Sequence, residues 1–156
     1  MTILFITGLS GVGKSSVLSE MKSRGYKSVD LDYGYVHVHS QERLFNEAKI
    51  KSLINNHQDT HLILAGTESN QGEFYSEFDV IVLLTADLET MLERIEKRTG
   101  NAYGKTEKER EEVIKSNKHV LPLLKKGANV DIDTTHMRIE DVCDQIEAHL
   151  DSRSTL

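Results

Sequence analysis

The chain has 156 residues, with 19 Lys and Arg against 25 Asp and Glu, a formal charge of -6, and a 38% hydrophobic content that suffices for one core and one domain. This acidic balance, with no Lys/Arg run longer than two, excludes net charge as a means of holding nucleic acid or an anionic membrane. The lone Cys143 forbids an internal disulfide, Met1 to Ile6 is too short for a signal-peptide core, and no segment reaches membrane-span length, so a cytoplasmic protein without nucleic-acid or membrane partners is expected.

Taken in chain order, Ile3 to Ile6 is a continuous apolar run of strand length. Val17, Leu18 and Met21 share one face of a following helix that Gly25 closes. A weaker strand, Lys27 to Leu31, leads to a helix predicted over about Gln41 to His57. Leu62 to Ala65 and Val80 to Leu84 are again apolar runs of strand length. Leu88, Met91, Leu92 and Ile95 have helical spacing before Gly100, and a helix over about Thr106 to Lys126 should be bent or interrupted by Pro122. Asn129 to Asp133 reads as an edge strand, and Ile139, Val142, Cys143, Ile146 and Leu150 form the apolar stripe of a last helix. The order β-α-β-α-β-α-β-α-β-α predicts an open, five-stranded parallel sheet with helices on both faces, an α/β three-layer sandwich. Ligands in such sheets bind at the carboxyl ends of the strands.

The first strand ends in Gly8-Leu9-Ser10-Gly11-Val12-Gly13-Lys14-Ser15, which fills every fixed position of G-x-x-x-x-G-K-[ST] between an apolar strand and an amphipathic helix. Such a loop turns successive backbone N–H groups toward a phosphate, and the helix N-terminus adds partial positive charge. Lys14 suits the β- and γ-phosphates, the Ser15 hydroxyl suits Mg2+, and Ser16 offers a further hydrogen bond. Gly8, Ser10, Gly11, Val12, Gly13, Lys14, Ser15 and Ser16 therefore form the expected ATP- or GTP-binding loop. A GTPase would add D-x-x-G and N-K-x-D; the first is absent, and Asn117-Lys118-His119-Val120 lacks the Asp of the second. A motor or AAA-type ATPase would end a later apolar strand in Asp, whereas Leu62 to Ala65 ends in Gly66-Thr67.

Val29-Asp30-Leu31-Asp32 places two carboxylates on one side of a strand end, where a metal and a substrate can both be reached. Arg94-x-x-x-Arg98 puts two guanidinium groups on one helical face, followed by a polar glycine-containing loop, Thr99 to Lys105. Gly66-Thr67-Glu68-Ser69-Asn70-Gln71 follows the third strand, and the Asn70 and Gln71 amides are candidates for bonding acceptor hydroxyls. Arg43, placed on the second helix, is a candidate for holding an acidic group of the acceptor. His37 and His39 read as exposed, and the aromatics Tyr33, Tyr35, Phe74, Tyr75 and Phe78 as packing groups.

With the phosphate loop, the D-x-D, the arginine-bearing loop and Ile132-Asp133-Thr134-Thr135, nearly the whole chain resembles the adenylate-kinase-like P-loop kinases, most closely the shikimate kinase and gluconate kinase branch. The resemblance implies ATP and Mg2+ as cofactors, Asp30 as the magnesium-water ligand, and Asp32 as the group that orients or deprotonates an acceptor hydroxyl. It further implies Arg98, with Arg94, as lid arginines on the transferred phosphoryl, a lid over about 98–107, Thr134 near the adenine, and Gly66, Thr67, Asn70 and Gln71 at the acceptor. The implied reaction is transfer of the ATP γ-phosphoryl group to a small-molecule hydroxyl, by a monomer or homodimer. Alternatives are a nucleoside monophosphate kinase, or a regulatory nucleotide-binding protein with slow hydrolysis. The carboxylate of Asp32 favours a hydroxyl over a phosphate acceptor, since it would repel a dianion.

Overall fold

Alternation of apolar side chains between two faces sets the architecture. In the computed structural model, which describes residues 1–57 and 60–154, strand β1 (Ile3–Thr7) is buried throughout. Its Leu4 and Ile6 enter one hydrophobic cluster and its Ile3 and Phe5 another, so a core lies on each side of the sheet. The phosphate loop leads into α1 (Lys14–Ser23), then β2 (Lys27–Asp30). A hairpin follows, β3 (Val36–His39) and β4 (Glu42–Phe45), and then α2 (Glu47–Asn55) and β5 (Leu62–Ala65). A 3₁₀ segment (Gln71–Glu77) connects to β6 (Val80–Thr85) and α3 (Leu88–Lys97). The chain continues through α4 (Glu107–His119), α5 (Leu121–Gly127), β7 (Val130–Asp133) and α6 (Ile139–Ser154).

The main sheet has five strands in the order β2-β5-β1-β6-β7, and every pairing in it is parallel. The predicted strands and the doubly covered sheet are all present. Helices α1, α3 and α6 supply Val17, Met91, Val142, Cys143 and Ile146 to one core. On the other side Phe45, Ile50 and Phe74 pack with Phe5, whose ring stacks on Phe78 at 4.6 Å. Burial pushes the Cys143 thiol up to about 11, as suits a core thiol. The chain between β1 and α1 opens at the carboxyl edge of the central strand, so the phosphate loop lies at the middle of the sheet.

Two expectations are corrected. The helix predicted from about Gln41 begins only at Glu47, because Asn46 caps it by accepting from the Lys49 N–H at 3.1 Å and Phe45 is drawn into the core as strand. Arg43 therefore sits on β4 of a hairpin whose turn residues Ser40 and Gln41 take left-handed φ values of 51° and 66°. The third crossover is a 3₁₀ segment rather than an α-helix. The helix expected over Thr106 to Lys126 is interrupted as Pro122 led us to expect: it divides at Val120, and Pro122 falls in the first turn of the second piece, where its missing N–H costs nothing.

Close packing behind the site gives a direct stability test. A Cβ on Gly66 would lie 2.8 Å from Phe45 Cζ, and that ring is boxed in by Phe5 and Phe74. Gly66→Ala is therefore expected to destabilise the fold by ~1–3 kcal/mol, read as a lowered midpoint in urea.

Candidate functional site

The loop residues Gly8 to Gly13 are shaped by backbone geometry that side chains oppose. Gly11 has φ +86°, and a Cβ there would lie 2.7 Å from the Met91 carbonyl oxygen, so the loop runs directly against α3. Gly13, also left-handed, is the N-cap of α1, and no side chain caps that helix. Its first-turn N–H groups, including those of Ser15 and Ser16, face outward without an intrahelical partner, as a phosphate site requires. No acidic residue stands in that first turn to oppose an anion.

Lys14 folds over the loop. Its ammonium donates to the carbonyl oxygens of Gly8 and, at 3.4 Å, Leu9, and to Thr67 Oγ1 at 3.2 Å. Burial lowers its pKa from 10.5 to about 8, with Arg98 pushing the same way, while Asp32, Asp30 and Glu68 oppose the shift. The D-x-D carboxylates, Glu68 and the loop arginine thus each act on the phosphate-loop lysine. Asp30 accepts from the Asp32 N–H at 3.0 Å, and burial raises its carboxyl.

Arg43 reaches back from the hairpin to this group. Its Nη2 lies 3.5 Å from Asp32 Oδ1 and donates to the Asp32 carbonyl at 3.3 Å, while its Nε lies 3.2 Å from Glu68 Oε1. Glu68 was named in the sequence only as part of its segment, and the position of that segment at a strand end was the signal that marked it. Burial raises its carboxyl to about 7, against the Arg43 charge and with help from Asp32. A carboxyl raised from 4.5 to about 7 contributes stability that is present below 4.5 and lost as pH rises through 7. Glu68→Gln cannot ionise, so its melting temperature relative to the wild type should be higher at pH 8 than at pH 5, measured by thermal melts at both.

Several predicted residues are spent within the protein. Asn70 clamps β4, accepting from the Phe45 N–H at 2.9 Å and donating to its carbonyl at 3.1 Å. Gln71 is buried and its amide bonds Thr7, Tyr75 and the Glu68 N–H. Both amides are thus engaged by partners within the protein. Arg94 and Arg98 also part ways despite their i, i+4 spacing. Arg94 donates to the Gly11 carbonyl at 3.3 Å and to Thr134 Oγ1 and O at 2.9 and 2.7 Å, tying α3 to the phosphate loop. Arg98 follows the end of α3 in extended conformation and bonds the carbonyls of Asn101 and Tyr103, at the root of the loop that runs to Thr106. The Thr134 hydroxyl is buried against the Val12 and Thr85 carbonyls at 2.8 and 3.1 Å, which places its side chain under the loop rather than on a ligand.

The donor set fits Mg2+ bound with a nucleotide. A hydroxyl on Ser15 and a carboxylate on Asp30 are the hard oxygen donors that ion takes, with phosphates and water completing its shell. Among the described residues no three His, Cys, Asp or Glu side chains are grouped so as to hold a metal ion. Among the described residues, no helix is long and apolar enough to cross a membrane.

Comparison with known proteins gives the chain a family and a fold. Residues 4–115 match the AAA_18 family model, described as an AAA domain. A nucleotide-binding protein of Aeromonas hydrophila is 26% identical over 158 aligned positions covering 96% of this chain, which spans about half, 54%, of that relative's length. Among solved structures, a shikimate kinase from Acinetobacter baumannii in complex with shikimate superposes with a TM-score of 0.67 at 16% identity, covering 98% of this chain and 94% of that one. A shikimate kinase from Bacteroides thetaiotaomicron gives 0.64 at 14% identity, with 96% and 98% covered, and TT1252 from Thermus thermophilus 0.63 at 19%, with 97% of each. The exclusion of AAA-type relatives drawn from the missing strand-end Asp is thereby corrected at the level of family, although β5 and β6 still run into Thr67 and Thr85 without a carboxylate at those places. With a phosphate loop on β1, a parallel sheet in the order 2-3-1-4-5 by chain position, and a match over most of its length, the chain belongs to the AAA domain family and has a P-loop kinase-like fold.

Proposed function

We propose that the protein transfers the γ-phosphoryl group of ATP to a hydroxyl of a small molecule. The observation that carries this reading is the run of contacts beside the phosphate loop, from Lys14 to Thr67, from neighbouring Glu68 to Arg43, and from Arg43 to Asp32 and so to Asp30. ATP lies with its phosphates on the N–H groups of Gly8 to Ser16, and Lys14 takes up the charge of its terminal phosphates. Ser15 and Asp30 hold Mg2+, which when bound neutralises phosphate charge and fixes the phosphates in line. Asp32, more exposed than Glu68, accepts the acceptor's hydroxyl proton as the new O–P bond forms and the bond to the bridging oxygen of ADP breaks. Arg98 comes to the transferred group from the loop after α3, and closing that loop keeps water out. Arg43, between Asp32 and Glu68, offers a guanidinium to an acidic substituent of the acceptor, beside Gly66 and Thr67.

The carboxylates weigh against a nucleoside monophosphate as acceptor, since its phosphate would meet Asp32 and Glu68 with only Arg43 between them. A nucleotide-binding protein without a metabolite acceptor is the second reading, which the name of the Aeromonas relative favours. The test is ADP release from ATP and Mg2+, alone and with pools of sugar acids, polyols, nucleosides and nucleoside monophosphates. Stimulation by a hydroxyl-bearing pool supports transfer and names the class. Stimulation only by monophosphates replaces the reading with nucleotide kinase activity, and ATP binding with no stimulation by any pool favours the second reading.

A further inference from the structure

Four hydrogen-bonding groups that the proposed reaction does not use lie in a line from the 3₁₀ segment to Lys14. Gln71 fixes the direction of this line. Its Oε1 accepts from the Glu68 N–H at 3.0 Å, which turns its Nε2 toward Tyr75 OH at 2.8 Å and Thr7 Oγ1 at 3.1 Å. Thr7, fully buried, stands 3.0 Å from Thr67 Oγ1. Thr67 donates to the Gly8 carbonyl at 2.7 Å and accepts from the Gly8 N–H at 3.2 Å and from Lys14 Nζ at 3.2 Å. A hydroxyl has one proton, so donation to Gly8 leaves the Thr67 lone pairs to the groups around it, Lys14 among them. One hydroxyl thus grips both polar groups of the first loop glycine and the ammonium that the loop exists to present.

We propose that Thr67, oriented by the buried Thr7 and Gln71 side chains, is a positioning residue that sets the place of Lys14 over the phosphate loop. The proposal deepens the nucleotide-binding part of the reading above and rests on it, without depending on the acceptor. A hydroxyl suits this task better than the strand-end carboxylate of other P-loop ATPases. It accepts from the ammonium without neutralising it, so the positive charge remains available to phosphate. It also donates to Gly8, which a carboxylate cannot.

The consequence is that the effect of Thr67 runs through Lys14. Thr67→Val keeps the shape and removes the acceptor from the ammonium, so it should weaken ATP binding about tenfold in the wild-type background and by less than about twofold in a Lys14→Met background, whereas Thr67→Ser should restore wild-type affinity. Thr67→Ala is the second hydroxyl-free variant, in case the valine is poorly accommodated, and melting temperatures check the fold of each. Binding is read by calorimetry with ATP and Mg2+. An equal loss in both backgrounds overturns the proposal, because loss of packing does not depend on the lysine, and so does wild-type affinity in the hydroxyl-free variants. Failure of serine to restore the affinity also overturns it. Absence of ATP binding by the wild type strikes the nucleotide reading itself, a result distinct from either.

Discussion

Lys14→Met is expected to lower affinity for ATP by at least ~100-fold and to abolish phosphoryl transfer, while leaving the melting temperature at or above the wild type. The two halves of this prediction have one cause. Burial of the Lys14 ammonium lowers its pKa to about 8, which means the folded chain holds that charge at a cost. Methionine has similar length and no charge, so it removes the cost together with the phosphate ligand. The lost hydrogen bonds to the Gly8 and Leu9 carbonyls and to Thr67 work in the other direction. They are few and lie at the loop, where water can replace them. Calorimetry for binding and a thermal melt for stability separate the effects, and a variant that loses both together would show Lys14 to be a structural residue.

Asp32→Asn is expected to reduce kcat by ~100-fold to 10,000-fold, within the range for loss of a general base, with ATP affinity within about threefold of the wild type. The split follows from placement. Asp32 is partly exposed at the end of the strand and pairs with Arg43, whereas Asp30 is more enclosed and accepts the Asp32 N–H. Asparagine keeps the size and one acceptor oxygen, so Arg43 retains a partner, but it cannot take a proton. Single-turnover rates with saturating ATP measure the first effect and equilibrium binding the second. Equal losses in both would assign Asp32 to the metal rather than to the acceptor hydroxyl.

The strands and the phosphate loop were legible because their information is local. Apolar runs such as Leu62 to Ala65 and Val80 to Leu84 are of strand length and mark strands buried on both faces, and the loop residues are fixed by the geometry they adopt. The hairpin was not legible, because nothing local separates it from a helix. Its turn is Ser40-Gln41 rather than Asn-Gly or Asp-Gly, most of its residues are exposed, and Phe45 is kept extended by Asn70, which lies 25 residues away in sequence.

The candidate site divides in the same way. Asp30 and Asp32 were visible as a pair at a strand end, although β2 stops at Asp30 and the turn in which Asp30 accepts the Asp32 N–H, rather than alternation along a strand, brings them together. Asn70 and Gln71 were visible as amides at a ligand-facing strand end, but an amide that binds a substrate and one that binds the backbone are the same residue in sequence. Arg94 and Arg98 shared a helical face by spacing, yet α3 ends at Lys97 and the extended backbone of Arg98 turns it toward its own loop. Thr7 emerged only from the fold, through its contact with Gln71, and Glu68, marked in sequence only by its strand-end segment, was singled out by its contact with Arg43.

The most direct test of the central claim follows the γ-phosphoryl group itself. The protein is incubated with γ-labelled ATP, Mg2+ and the stimulating acceptor pool, with Lys14→Met as the blank, and the products are separated. The account predicts label in an organic phosphate ester, little label in inorganic phosphate, and none in either with Lys14→Met. Label found only in inorganic phosphate, at a rate indifferent to every acceptor, would contradict it.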